Sequence, residues 1–187
     1  MKKRMFGMLA ISILMLALSG CKDSNEAHLK TDLQEEQWTA PDGSFTLPLD
    51  ENEWKVEEES NGELHFLNYK NEKFSFSVSK WDGLQFPEDF DYEDYYSGYV
   101  DDIRLEFPDA VETGVTMLES EEAAIVQMGV QYQVLENLCQ VTTSMIAVPY
   151  SEDTLCFVAI YPAEKKKEQE AEFEKIVTGI RFDLEKE

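Results

Sequence analysis

The residues able to do chemistry are few in this 187-residue chain. An acidic knot of Glu88, Asp89, Asp91, Glu93 and Asp94 offers carboxylate oxygens, which hard cations such as Ca²⁺ gather six to eight at a time. Asp89, Asp91 and Asp94 are the candidate ligands. The spacing is not that of an EF-hand, because the sixth loop position lacks Gly and the twelfth lacks Glu. The same acids suit the first turn of a helix, where the dipole favours negative charge. His28 and His65 are the two histidines. No Cys or His sits at a metal-ligand spacing near either. His65, on a strand between Leu64 and Phe66, is the residue on which a hydrolase would be built, since triads assemble from distant positions. No nucleophile-elbow motif accompanies it, and there is no Gly-rich phosphate loop. Tyr92, Tyr95, Tyr96 and Tyr99 exceed what one helix face needs. Aromatic surface with an acidic rim suits a protein partner or a sugar. The alternative is that these rings cap the core and leave their hydroxyls in water.

Cys21 carries the most specific pattern. Lys2, Lys3 and Arg4 open the chain, Met5 to Leu18 is apolar apart from Gly7 and Ser12, and the small residues Ser19 and Gly20 follow. That is the order of a secretory signal. The apolar run is about 14 residues, whereas a spanning helix needs roughly 20. Leu18-Ser19-Gly20-Cys21 resembles the lipobox of bacterial lipoproteins. The resemblance implies that residues 1–20 are removed and that Cys21 becomes an acylated first residue. Each buried methylene adds about 0.8 kcal/mol of membrane affinity, so several acyl chains hold a protein firmly.

Charge narrows the partners. The chain has 16 basic and 39 acidic side chains, a net charge of −23. Residues 1–20 hold three of the basic ones and no acid, so the remainder carries 13 against 39, or −26. Nucleic acid and anionic lipid both need basic surface, which argues against either as a partner. Lys22 to Gln37 is polar without apolar periodicity and reads as a tether. About 16 flexible residues span roughly 20–25 Å. Residues 38–187 read as one domain, long enough to bury a core.

The alternation of apolar residues sets the elements. Strands are expected at Ser44–Leu49, with Phe45, Leu47 and Leu49 on one face and Pro48 making an edge or an early end. Others are expected from Trp54, over Glu63–Tyr69 after an Asn61-Gly62 hairpin turn, and over Phe74–Lys80. Trp81–Pro87 reads as a loop. Tyr92 to Ile103 has helical spacing and ends at Phe107-Pro108-Asp109. Val111–Leu118 should place Val111, Thr113, Val115 and Met117 on one face. Val126 to Val134 alternates, Glu136-Asn137 reads as a turn, and Cys139, Val141, Met145 and Ala147 face inward on the next strand. Leu155–Tyr161 is apolar on both faces, as in a central strand. Ala163–Thr178 is a second helix with Gly179 as its C-cap, and Ile180 and Phe182 close the domain.

A hairpin turning near Ser151 puts Cys156 opposite Met145 or Ile146, with Cys139 some six residues further along. At about 3.3 Å per residue this exceeds the ~7 Å Cα limit for a disulfide. The two cysteines therefore read as thiols.

The opening Gly43-Ser44-Phe45-Thr46-Leu47-Pro48-Leu49, then Trp54, antiparallel strands, a helix, a strand, a long hairpin and the closing Phe173-Glu174-Lys175-Ile176-Val177-Thr178-Gly179-Ile180-Arg181-Phe182 resemble the PsbP-like fold, which includes the DcrB-type bacterial lipoproteins. The resemblance spans Trp38 to Phe182. It implies an α+β fold in which an antiparallel β-sheet is sandwiched between helices. The family has no common catalytic residues, so the resemblance assigns none here. The expected function is non-enzymatic: a lipid-anchored binding or accessory protein on the extracytoplasmic face of a bacterial cell membrane, or of the outer membrane in a Gram-negative cell. The alternatives are an envelope hydrolase using His65 and a Ca²⁺-dependent binding module.

Overall fold

The computed structural model describes residues 37–50, 52–70, 74–83 and 91–183. The elements run β1 (Trp38–Thr39), β2 (Phe45–Leu47), β3 (Trp54–Glu58), β4 (Leu64–Asn68), β5 (Ser75–Trp81), α1 (Tyr92–Arg104), β6 (Val111–Glu119), β7 (Ala124–Val134), β8 (Asn137–Ala147) and β9 (Thr154–Pro162). A 3₁₀ turn (Ala163–Lys165), α2 (Lys166–Thr178) and β10 (Arg181–Phe182) complete the series. The expectations for Cys21, the tether up to Glu36, Glu88, Asp89, and the loop beyond Gly83 lie outside the described residues.

β9 organises the main sheet, whose order is β3-β4-β5-β9-β8-β7-β6 with antiparallel neighbours throughout. Successive side chains of a strand point to opposite faces. Leu155, Phe157, Ala159 and Tyr161 therefore enter one buried cluster, while Cys156 and Val158 enter the other. This is the doubly covered strand expected from its unbroken apolar run.

The first cluster is capped by α2, through Phe173, Ile176 and Val177, and by a small sheet of order β1-β2-β10. Phe66 stacks on Phe76 at 4.5 Å between centroids, and Trp38 meets Phe66 edge-on at 4.9 Å. The second cluster is capped by α1, through Tyr96, Val100 and Ile103, against Val126, Met128, Val130, Val141 and Met145. Each large apolar side chain so buried contributes about 1.5–3 kcal/mol. The α+β architecture, with helices on both faces of an antiparallel sheet, is the one expected.

Local signals explain the boundaries. Asp91 is the N-cap of α1, its Oδ1 accepting from the N–H groups of Glu93 at 3.1 Å and Asp94 at 3.0 Å. β2 stops at Leu47, just before Pro48, and is flanked on both sides, so the proline ends the strand rather than marking an edge. Gly179 caps α2 with an ordinary φ of −85°. Glycine is needed there for space: a Cβ would lie 2.6 Å from Pro48 Cγ.

Three expectations are corrected. Val111 pairs with Gln131 and Val115 with Met128, so the two valines face opposite sides, because the register shifts between Glu112 and Gly114. The β7–β8 turn is Leu135-Glu136, since Val134 already pairs with Asn137. Ala147 is exposed, at the end of β8. Cys139 and Cys156 are thiols, and Cys156 pairs with Met145 as anticipated.

Candidate functional site

The β3–β4 hairpin gathers the most concentrated set of ligand-bearing side chains among the described residues. Glu59 N–H donates to the Glu63 carbonyl at 2.8 Å, and Gly62 N–H donates to the Glu59 carbonyl at 2.9 Å. Gly62 takes φ +83°, a conformation glycine adopts without a Cβ clash. Asn61 Oδ1 accepts from the Glu63 N–H at 3.0 Å. The Asn61-Gly62 signal thus builds the turn it was expected to build. Its consequence is that Glu59 sits across from Glu63, which leads into β4, and His65 lies two residues further along on the same side of the chain.

Their ligand atoms converge. His65 Nε2 lies 3.3 Å from Glu59 Oε1 and 4.0 Å from Glu63 Oε1. One nitrogen and one oxygen from each glutamate all fall within 4.8 Å of one another. The three side chains grade from solvent inward, with Glu59 43% exposed, His65 19% and Glu63 5%. Glu63 Oε1 is buried and accepts no hydrogen bond. Glu57, opposite His65 on β3, is engaged with Lys55 at 2.6 Å. Cys156 lies close enough to feel Glu63. Burial first, and then the Glu63 charge, push its thiol well above the usual range, so it stays protonated.

The expected site residues fall out differently. His65 meets two carboxylates, and no hydroxyl among the described residues hydrogen-bonds to its Nε2; Ser77 is its cross-strand neighbour on β5. Asp91 spends its Oδ1 on the cap of α1, and neither it nor Asp94 joins a three-ligand group among the described residues. The tyrosines all pack onto the second cluster, Tyr96 buried and Tyr92, Tyr95 and Tyr99 half-buried. Tyr99 Oη shares a hydrogen bond with Thr143 Oγ1 at 2.8 Å. Glu59 and Glu63 were missed by sequence reasoning. The signal was present: Glu-x₃-Glu-x-His wraps around the Asn61-Gly62 turn.

No family model matches the chain, and no curated protein sequence matches it. Solved structures do. The cyanobacterial PsbP protein (CyanoP) of Synechocystis sp. PCC 6803 is similar with a TM-score of 0.59 at 10% identity, over 89% of this chain and 99% of that one. The Ran-binding protein Mog1p of Saccharomyces cerevisiae gives 0.54 at 9% identity, over 81% and 96%. A Bacteroides thetaiotaomicron VPI-5482 protein gives 0.58 at 12% identity over 83% of this chain, which spans about half (51%) of that protein. Identities this low speak to architecture, and the architecture is that of the PsbP/Mog1-like α+β fold.

Proposed function

We propose that this chain is a lipid-anchored, extracytoplasmic binding or accessory protein of a bacterial cell envelope, of the DcrB type, held at the membrane by acyl chains on Cys21. The observation that carries this reading is the register of Leu18-Ser19-Gly20-Cys21 at the end of an apolar run behind three basic residues. No helix among the described residues is long and apolar enough to cross a membrane, and attachment through Cys21 requires none. The acidic body is repelled by anionic headgroups, which favours a domain standing off the bilayer on its tether. Mog1p, which shares the fold, is named for binding another protein, Ran; that supports a protein partner here.

The test is mass spectrometry of the amino-terminal peptide from the full chain made in a bacterium, with membrane fractionation alongside. The reading expects cleavage before Cys21, a diacylglyceryl-modified thiol, and loss from the membrane fraction on Cys21→Ala. An unmodified Cys21 with residues 1–20 still attached would sink it.

A further inference from the structure

We infer that Glu59, Glu63 and His65 form a binding site for a divalent transition-metal ion of the Zn²⁺ class. The inference does not depend on the anchor.

Two independent observations meet here. The first is convergence. For bonds of about 2.0–2.1 Å, a tetrahedral ion sets its ligand atoms roughly 3.3 Å apart. His65 Nε2 and Glu59 Oε1 already stand at 3.3 Å, and Glu63 Oε1 is within a small side-chain rotation at 4.0 Å from Nε2. The second is the state of Glu63. A carboxylate taken out of water is costly unless it is paired and hydrogen-bonded, or coordinates a metal. Glu63 is 5% exposed, its Oε1 accepts no hydrogen bond, and that oxygen is aimed at the imidazole. A cation between the three side chains would satisfy it.

The donor set chooses the class of ion. Ca²⁺ and Mg²⁺ take oxygen ligands, six or more of them, whereas an imidazole with carboxylates suits Zn²⁺ and its neighbours. Three protein ligands leave a fourth position for water or for a group brought by a partner. The site is rigid where it needs to be: His65 rides on β4, Glu63 immediately precedes that strand, and the turn hydrogen bonds fix Glu59 opposite Glu63. Cys156 is not among the side chains whose ligand atoms converge. A surplus of acidic side chains across the chain raises the local cation concentration.

The rival arrangement is a protonated His65 bridging two glutamates with no ion. The experiment separates the two. Metal-free, untagged full-length chain in detergent is titrated with ZnCl₂ by calorimetry, and with Co²⁺ by visible absorption. One saturable Zn²⁺ per chain is expected, not displaced by millimolar Ca²⁺, with Co²⁺ giving visible bands. Glu63→Gln and His65→Ala should each weaken Zn²⁺ by about 100-fold or more and abolish the Co²⁺ bands. His28→Ala and Asp91→Asn should leave both unchanged. Glu63→Gln is nearly isosteric, and an unaltered circular dichroism spectrum shows that its fold is kept. A flat Zn²⁺ titration of the parent chain, or binding that survives both Glu63→Gln and His65→Ala, overturns the inference.

Discussion

The Tyr96 hydroxyl is seated on the Gly129 carbonyl oxygen, donating to it across 2.5 Å. The phenol oxygen of Tyr96 in turn accepts the N–H groups of Thr113 and Gly114, both at 3.0 Å. One proton and two lone pairs are all a phenol offers, and all three are used. They hold the bulge in β6, where Gly114 takes φ +126°, against β7 and α1. Tyr96→Phe leaves three backbone groups without this partner. We expect a loss of about 2 kcal/mol in urea unfolding, with helix content retained. A loss below about 0.5 kcal/mol would mean that the bulge is held by other contacts.

The two-residue turn between β7 and β8 carries a residue of the wrong shape. Leu135 has φ +56° and is 81% exposed. A side chain in the left-handed region costs roughly 1–2 kcal/mol, and hairpin turns with positive φ at the first central position favour Gly. Leu135→Gly relieves that strain, loses little burial, and adds some unfolded-chain entropy. The expected outcome is a gain of about 0.5–1 kcal/mol in a thermal or urea melt. Destabilisation would show that the Leu135 side chain is held by contacts worth more than the strain.

Glu172 on α2 should make stability fall as pH rises. Burial, then the carboxylates of Glu53 and Glu168, lift its pKa above the ordinary 4.5, against a smaller opposite effect from Lys175. A carboxyl whose folded pKa lies above its unfolded value contributes stability that is complete below 4.5 and lost as pH climbs through the folded value. Glu172→Gln removes the titration and can still accept the Asn68 Nδ2 hydrogen bond, now 3.3 Å to Oε1. The variant should melt higher than the parent at about pH 7 and match it at about pH 4. An equal gap at both values would assign the effect to packing instead.

Sequence periodicity reveals most of this architecture because the strands bury one face or both. The unbroken Leu155–Tyr161 run marks the middle of the sheet, and Asn61-Gly62 marks the hairpin. Alternation fails at Thr113, because a bulge inverts the faces on either side of it and depends on a tyrosine 17 residues away. The separate β1-β2-β10 sheet is invisible locally, since its strands are two or three residues long and meet only in three dimensions. The site is half legible. His65 stands out by type, yet its partners across the turn emerge only once the hairpin register pairs Glu57 with His65. The acids at the start of α1 look like ligands in sequence, and Asp91 proves to be a cap.

The small sheet joins the two ends of the folded body. β2, at Phe45–Leu47, is sandwiched between β1 and β10, and Phe45 pairs with Phe182. β2 therefore waits for β10, which is made much later. Loop closure over such a span is slow, and no partly synthesised chain ending before Ile180 can seal the aromatic layer beneath Trp38. Phe45, buried here against its partner Phe182, is therefore the residue a cut ahead of β10 is expected to uncover, read as faster cleavage by a protease.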